Sequence, residues 1–275
     1  MLIWGTIGVF VREINLSSAE IAFSRAIIGS VLLFLIGILK HERLYEIKLK
    51  KKLPILFLSG ALMGINWILL FQGYKYTTIS NATLSYYLAP VFIALLSSFI
   101  LKESLSTRKI VCILIALVGL FLILQTGEGS NSQSYNHIIG ILYGASGAIL
   151  YAIVVILNKY IKGISAFTIT LIQLFVASII LLPFVVSDNA LRLTLMDMKS
   201  WIAMILLGII HTGFAYLLYF SAIKEVEGQS IAILSYIDPI FAVFISSVFL
   251  GEPMGVLQIL GGVLILGSTY FSEKK

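Results

Sequence analysis

Three titratable side chains lie inside long apolar stretches of the chain: Asp238, Arg25 and His211. If these stretches cross a bilayer, each charge is costly, and such residues commonly mark a substrate or ion pathway. Asp238 could bind an amine, take up a coupling proton, or pair with Arg25. Arg25 could hold a substrate carboxylate, extend towards the membrane surface, or brace carbonyls of a neighbouring helix. His211 could carry a coupling proton, although hydrogen-bonded packing is the favoured interpretation.

Aromatic and amide side chains accompany the three titratable groups in the same apolar stretches. Small-molecule sites are commonly lined by aromatic faces with few polar groups, so this composition predicts a binding cavity. The residues that we expect to line it are Asn66, Trp67, Gln72, Tyr86, Tyr87, Tyr216 and Tyr236.

Two prolines, Pro90 and Pro239, fall near the centres of apolar stretches. A proline in a helix removes one backbone hydrogen bond, so each is expected to kink its helix and to free the carbonyl of Tyr86 or Ser235. Irregular backbone at membrane depth is tolerated beside protein or a wet cavity. Transporters with inverted repeats place their substrate sites at this depth. A role in helix packing alone stays open.

The elements that carry these residues are predicted to be transmembrane helices. The 275 residues are 59% hydrophobic and 12% charged, and the charged share is about half that of an ordinary soluble domain. A soluble protein is therefore excluded. Stretches long enough to cross a bilayer as helices recur along the chain. The predicted spans are 1–13, 17–39, 53–74, 80–101, 107–125, 137–158, 164–186, 200–221, 229–250 and 253–272.

An internal repeat divides these ten spans into two halves. With an offset of 149 positions, residues 53–120 align without a gap on residues 202–269, with 14 identities among 68 positions. The identities include Pro90 with Pro239 and Glu103 with Glu252. Five spans in each half make the repeats inverted. The predicted fold is an all-α integral membrane protein of two inverted five-helix repeats, residues 1–125 and 137–275, joined by the linker 126–136.

The distribution of basic residues predicts the orientation in the membrane. Most of the 19 lysine and arginine residues fall in loops on one predicted side, which is typical of the cytoplasmic side. Both termini are then cytoplasmic. The first span, 1–13, is short for a crossing helix, so we expect the natural chain to have about ten more residues before it.

Other residues have expected structural roles. Ser17 and Glu20 form a predicted capping box, and Glu103 and Glu252 are expected to cap turns beyond their helices. Glycine pairs predict close helix contacts. These pairs are Gly60 with Gly64 and Gly208 with Gly213.

Residues 234–252 and 85–103 carry a family resemblance. Together with Gln258 and Gly261-Gly262, the first stretch resembles the last two helices of the EamA family in the drug/metabolite transporter superfamily. The second stretch resembles the same signature in the first half. Trp4-Gly5 and Arg25 also lie where the family usually has them, so the resemblance covers essentially the whole chain. The resemblance implies a carrier of amino acids, other metabolites or drugs, and members of the family usually transport their substrates out of the cell. The chain departs from the family pattern at two places. The first half has Lys102 where the second half has Gly251, and the first helix is short.

These observations predict a secondary transporter that exports amino acids or related small metabolites by alternating access, one half moving against the other, in a bacterial cytoplasmic membrane. A multidrug or organic cation exporter, a lipid-carrier flippase and a non-transporting scaffold stay open. The sequence has no motif of an intramembrane enzyme and no Walker motif. We expect no cofactor, no metal site and no nucleic acid partner, and Cys112 alone allows no intrachain disulfide. The expected partners are the small-molecule substrate and membrane lipids. Whether the protein is a monomer or a homodimer, and whether transport is coupled to protons, stays open.

Overall fold

Helices make up the regular secondary structure of the computed structural model, which describes residues 2–39, 47–77, 82, 85–104, 106–124, 136–187, 196–250 and 255–273. No strand occurs among these residues. In chain order the helices are α1 Leu2–Gly5, α2 Ile7–Arg12, α3 Ser18–Leu39, α4 Ile47–Tyr76, α5 Ala89–Ile100, α6 Thr107–Leu124, α7 His137–Tyr160, α8 Ala166–Ser187, α9 Met198–Leu206, the π-helix π1 Leu207–Phe214, α10 Ala215–Ala222, α11 Gly228–Leu234, α12 Ile237–Leu250 and α13 Val256–Glu273.

Five helical segments are long and apolar enough to cross a membrane. They are Ala19–Leu39, Lys50–Leu70, His137–Tyr160, Ala166–Val186 and Met198–Ala222. Shorter apolar helices occur at Ala89–Leu101 and Ile259–Ser268. Large apolar side chains stay exposed, with Phe99 at 88% and Ile138 at 73%, which suits a surface that contacts lipid. The part of the chain that the structure describes is therefore all-helical, which fits a membrane protein. The division of the chain into ten spans of two inverted repeats stays a prediction.

The helices gather into two compact units. The first unit consists of Met1–Thr6, Leu69–Ile156 and Val226–Lys275, and the second of Ile7–Ile68 and Leu157–Glu225. Each unit takes segments from both halves of the sequence. The predicted repeats, 1–125 and 137–275, were defined by internal sequence similarity and not by spatial contacts, so their boundaries stay a prediction. Except for Asn136, the predicted linker 126–136 lies outside the described residues, and so does Glu252.

In the first unit, α6 and α13 pack side by side. A Cβ atom placed on Gly119 of α6 would lie 2.6 Å from the carbonyl oxygen of Gly261 on α13, so only glycine allows the two backbones to approach this closely. Beside this contact, Leu120, Tyr236 and Ile265 form a buried cluster with Ala116. Tyr236 therefore packs in the apolar core of the first unit.

In the second unit, α3 packs against α8 and π1. Gly60 of α4 also contacts α8, because a Cβ atom there would lie 2.9 Å from Gln173 Cα. The Gln173 side chain is fully buried and donates to Ser59 Oγ and to Asn158 Oδ1, at 2.6 Å each. Hydrogen bonds of this kind join α4, α7 and α8 without leaving the amide unsatisfied.

Two local expectations can be compared with the structure. The capping box is confirmed: Ser17 N donates to Glu20 Oε2 at 2.8 Å, and Glu20 N donates to Ser17 Oγ at 3.3 Å. Glu103, which we expected to cap a turn, also contacts a helix far away in the sequence. Its Oε2 accepts the backbone N–H of Gly228 at 2.8 Å, so it caps the start of α11, where helical N–H groups have no intrahelical partner.

Candidate functional site

Asp238 lies at a break between two helices. The predicted span 229–250 consists of α11, which ends at Leu234, and α12, which begins at Ile237. Pro239 thus lies in the first turn of α12, where its missing N–H leaves no intrahelical bond unmade. The expected kink of one continuous helix is therefore replaced by an interruption. The carbonyl of Ser235 is not left free, because it accepts the Asp238 N–H at 3.4 Å.

The first half has a similar break at Tyr87 and Leu88, which form a turn before α5 begins at Ala89. Pro90 lies in the first turn of α5, as Pro239 does in α12. The Leu88 N–H donates to the carbonyl of Ser85 at 3.3 Å. This turn places Tyr86 and Tyr87 at the end of one helical segment and immediately before the next.

One tyrosine contacts the carboxylate of Asp238 in the first unit, and further tyrosine rings pack beside that tyrosine. The hydroxyl of Tyr87 donates to Asp238 Oδ2 at 3.3 Å. The ring centroids of Tyr86 and Tyr87 are 6.4 Å apart at an interplanar angle of 73°, and the Tyr86 ring also lies 6.2 Å from the ring of Tyr151. Edge-to-face and tilted pairs of this kind are favoured arrangements of aromatic rings. We call Tyr86, Tyr87, Tyr151, Tyr236 and Asp238 the tyrosine-carboxylate cluster.

Tyr151 on α7 belongs to this cluster but was not among the site residues predicted from the sequence. It could have been found from the internal repeat, because it aligns with Trp4 of the first half at an offset of 147 positions. That match places an aromatic residue at corresponding positions of both halves. An aromatic residue repeated in this way is a stronger site candidate than a single one.

Tyr236 completes the cluster from the turn that separates α11 from α12. Its side chain is fully buried, and Tyr87 packs against the same apolar group, as does Ile240. Among the described residues, the Tyr236 hydroxyl has no hydrogen-bond partner. A buried hydroxyl without a partner is costly.

A second group of predicted residues lies in the second unit. The guanidinium of Arg25 lies over the indole ring of Trp67, with Cζ 4.7 Å from the ring centroid, which is a favourable cation–π arrangement. The rings of Trp67 and Tyr216 are 6.1 Å apart. Asn66, beside Trp67 on α4, is 1% exposed. The structure therefore groups Arg25, Trp67 and Tyr216 into a cationic, aromatic patch.

His211 lies in π1, the segment that replaces the middle of the predicted continuous helix 200–221. In a π-helix each backbone N–H donates to the carbonyl five residues earlier, as the Ala215 N–H does to Ile210. Such segments are rare in proteins, and those that occur are often found at functional sites. The imidazole lies 4.8 Å from the Phe10 ring, and its Nδ1 is 3.5 Å from the carbonyl oxygen of Leu206. These contacts fit the packing role that the sequence favoured, and a role in proton transfer stays a prediction.

Each unit thus gathers its own part of the predicted set. In the first unit the tyrosine-carboxylate cluster offers aromatic faces and a carboxylate, which suit an organic cation. In the second unit Arg25 with its aromatic neighbours offers a positive charge to a carboxylate. Among the described residues, no group of three or more histidine, cysteine, aspartate or glutamate residues is placed to hold a metal ion.

The class of protein follows from these features: apolar helices of membrane length, with a carboxylate and tyrosines at helix breaks. The EamA-like transporter family matches residues 1–125 and 138–273. The chain belongs to this family, as the resemblance of its sequence predicted. The family indicates a multi-pass membrane transporter and not an enzyme.

Similar proteins extend this finding across the chain. The uncharacterized transporter YxxF of Bacillus subtilis (strain 168) is 32% identical over 265 residues, which cover 96% of this chain and 84% of the relative. An uncharacterized transporter of Archaeoglobus fulgidus is 28% identical over 277 residues, covering 100% of this chain and 93% of the relative. One solved crystal structure has a TM-score of 0.86 at 19% identity, covering 99% of this chain and 93% of its own; at this identity the likeness shows the fold alone.

Proposed function

We propose that this transporter is a secondary carrier that exports amino acids or related small metabolites across the bacterial cytoplasmic membrane by alternating access. The observation that supports this proposal best is the Asp238 carboxylate, held by the Tyr87 hydroxyl at 3.3 Å at a helix break. An ionisable group within a membrane segment is costly and is commonly kept for substrate or ion binding. A helix interruption beside it is the backbone feature found at midplane transporter sites.

The two groups of residues have separate proposed roles. Asp238 binds the amine of the solute, and the rings of Tyr86 and Tyr87 provide aromatic faces for it. Arg25, held over Trp67 at 4.7 Å, is the residue that a solute with a carboxylate requires. An amine-bearing solute is therefore proposed to depend on Asp238, and a carboxylate-bearing solute on Arg25.

A second candidate function is the export of organic cations. It is favoured by the composition of the tyrosine-carboxylate cluster, which by itself provides the negative charge and the ring faces that a cation prefers. Under this alternative transport depends on Asp238 and not on Arg25. The two functions thus differ in one measurable requirement.

Solute counterflow in proteoliposomes tests the proposal. The parent, Asp238→Asn and Arg25→Gln are compared on labelled amino acids, organic cations and organic acids. Saturable exchange of amino acids that is lost in both variants supports the proposal, whereas exchange of cations that survives Arg25→Gln supports the alternative. Absence of exchange for every solute, with protein that is folded by size-exclusion chromatography, contradicts both.

Matched controls remove one charge elsewhere in the chain. Glu225→Gln and Lys162→Gln change exposed side chains in loops. Both variants should keep the exchange rate of the parent. Loss of exchange in either control would show that the assay responds to net charge and not to the site.

A further inference from the structure

A basic surface lies at one end of the second unit, where α4 begins and α7 ends. The first six residues of α4 contain four lysines and no acidic residue, and Lys159 lies in the last turn of α7. The ammonium of Lys52 is 5.5 Å from the ring centroid of Tyr160, a cation–π contact that joins the two helices. We call Lys50, Lys51, Lys52, Lys159 and Tyr160 the lysine surface.

The lysine surface is accessible from outside the chain. Lys51 is exposed, and Tyr160 is 58% exposed. Among the described residues, no carboxylate forms a salt bridge with Lys51 or Lys52. Lys224 of the same unit differs from them, because its ammonium donates to the carbonyl of Ile164 at 2.6 Å. The charges of Lys51 and Lys52 are thus available to an anion that is not part of the chain.

The residues that follow along α4 indicate that this anion is a lipid. Phe57 and Leu58 are 53% and 50% exposed, and they follow Lys50 and Lys51 by seven residues, which is about two helical turns. Each of these faces of α4 therefore presents an ammonium and, about 10 Å further along the helix, an exposed apolar side chain. A phospholipid has the same order of groups, with a phosphate at one end and acyl chains beyond it. A soluble phosphate compound would contact only the ammonium part of such a face.

Membrane orientation alone explains lysines at this end of the unit but not the ring beside them. Positive charge in a short loop is sufficient to set orientation. Tyrosine rings of membrane proteins are enriched at the depth of the lipid headgroups, and the Tyr160 ring, in contact with Lys52, lies at the end of an apolar helix. The ring and the lysines together form a contact surface for a headgroup.

We propose that the lysine surface binds the phosphate of an anionic phospholipid of the phosphatidylglycerol type, with the acyl chains along Phe57 and Leu58. The phosphate diester is negatively charged at neutral pH, and lysine binds phosphate as a point charge. Phosphatidylcholine has its own cation beside the phosphate, so it gains less from the lysines. This inference goes beyond the proposed function, since it involves neither the solute nor the residues assigned to it.

Native mass spectrometry of the purified full-length protein tests the inference. The protein is titrated with dioleoylphosphatidylglycerol or with dioleoylphosphatidylcholine, which share their acyl chains and differ in headgroup charge. The parent should bind phosphatidylglycerol about fivefold tighter or more, because each lysine near an anionic lipid contributes a factor of roughly five. Lys51→Gln/Lys52→Gln should weaken the binding of phosphatidylglycerol about tenfold and leave that of phosphatidylcholine unchanged.

The matched control is Lys102→Gln/Arg108→Gln, which removes two exposed basic residues of the first unit and should keep the preference. Equal affinity of the parent for the two lipids overturns the inference without use of any variant. An equal loss of affinity in the two double variants also overturns it, because net charge alone would then set the binding of lipid.

A soluble competitor separates a lipid from a small phosphate compound. Glycerol 3-phosphate has the phosphate without the acyl chains, and it should not displace phosphatidylglycerol at equal concentration. Displacement at that concentration would assign the surface to a soluble ligand and overturn the lipid site. These measurements use detergent-solubilised protein and no transport. Absence of counterflow, which contradicts the proposed function, therefore leaves the lipid inference standing, and equal lipid affinities leave the proposed function standing.

Discussion

The side chain of Tyr87 has two tasks in the first unit. Its ring packs against the buried group of α6 and α13 that includes Leu120 and Ile265, and its hydroxyl donates to Asp238. A hydrogen bond to a charged group contributes more than one between neutral groups. The hydroxyl thus positions the carboxylate, while the ring belongs to the core.

Tyr87→Phe separates these two tasks because it removes the hydroxyl and keeps the ring. The KM for a transported amine should rise about fivefold, which corresponds to roughly 1 kcal/mol of lost binding, and the maximal counterflow rate should change little. Tyr143→Phe is the matched control, since the Tyr143 ring stacks on that of Tyr76 at 5.5 Å. An unchanged KM in Tyr87→Phe would show that the carboxylate needs no positioning by this hydroxyl.

At the residue scale the sequence identifies the charges better than their neighbours. Asp238 and Arg25 are conspicuous because a charge in an apolar stretch is costly. Their contacts are not predictable in the same way: Tyr87 lies 151 positions from Asp238, and nothing in the local pattern relates the two. Arg25 over Trp67 is a similar case, because the pairing depends on how α3 packs near α4.

At the scale of elements, the close approach of α3 and π1 depends on glycine. A Cβ atom on Gly208 would lie 2.5 Å from Ile28 Cβ, and one on Gly29 would lie 3.2 Å from the backbone nitrogen of Gly213. The predicted close contact at Gly208 and Gly213 is therefore confirmed. Small residues at such contacts allow helices in membranes to pack through dispersion forces.

Gly208→Val should destabilise the second unit, because the new methyl groups force π1 away from α3. Overpacking of this kind costs about 1–3 kcal/mol, so the thermal unfolding midpoint in detergent should fall by several degrees. Gly267→Val is the matched control, since among the described residues nothing lies within 4 Å of a Cβ atom placed there. Equal midpoints for the two variants would contradict the close contact.

Hydropathy predicts where most helices run but not how their backbone is wound. The span 200–221 has the composition of one helix, and only the structure shows that Leu207–Phe214 is a π-helix. The prolines indicate an irregularity in two spans, but whether the helix bends or stops depends on the turn that precedes them. At Tyr236 the turn continues into a new helix, which places proline in a first turn where it is tolerated.

At the scale of the whole molecule, charge distribution predicts the orientation. The sequence ends in Lys274 and Lys275, on the side that is rich in lysine and arginine, so we expect a cytoplasmic C-terminus. A fluorescent protein fused after Lys275 should fluoresce, whereas an alkaline phosphatase fused there should be inactive. The opposite pair of results would reverse the orientation of every span.

The two compact units are the feature of the whole molecule that the sequence could not provide. Internal similarity divides the chain near residue 125, whereas spatial contacts group Leu69–Ile156 with Val226–Lys275. Internal sequence similarity shows which segments of the two halves are related. The grouping by spatial contacts shows which helices bury each other's surfaces. The second property depends on contacts between distant segments, which no local pattern specifies.

The composition of the units has a consequence for synthesis on the ribosome. The second unit has all its segments once residue 225 has been made, but the first unit needs Val226–Lys275 as well. At about 5–20 residues per second, those last residues take roughly 3 to 10 s. During this interval Leu69–Ile156 is already made and lacks the helices that bury it, so this segment is the part of the nascent chain most exposed to premature association or to chaperones.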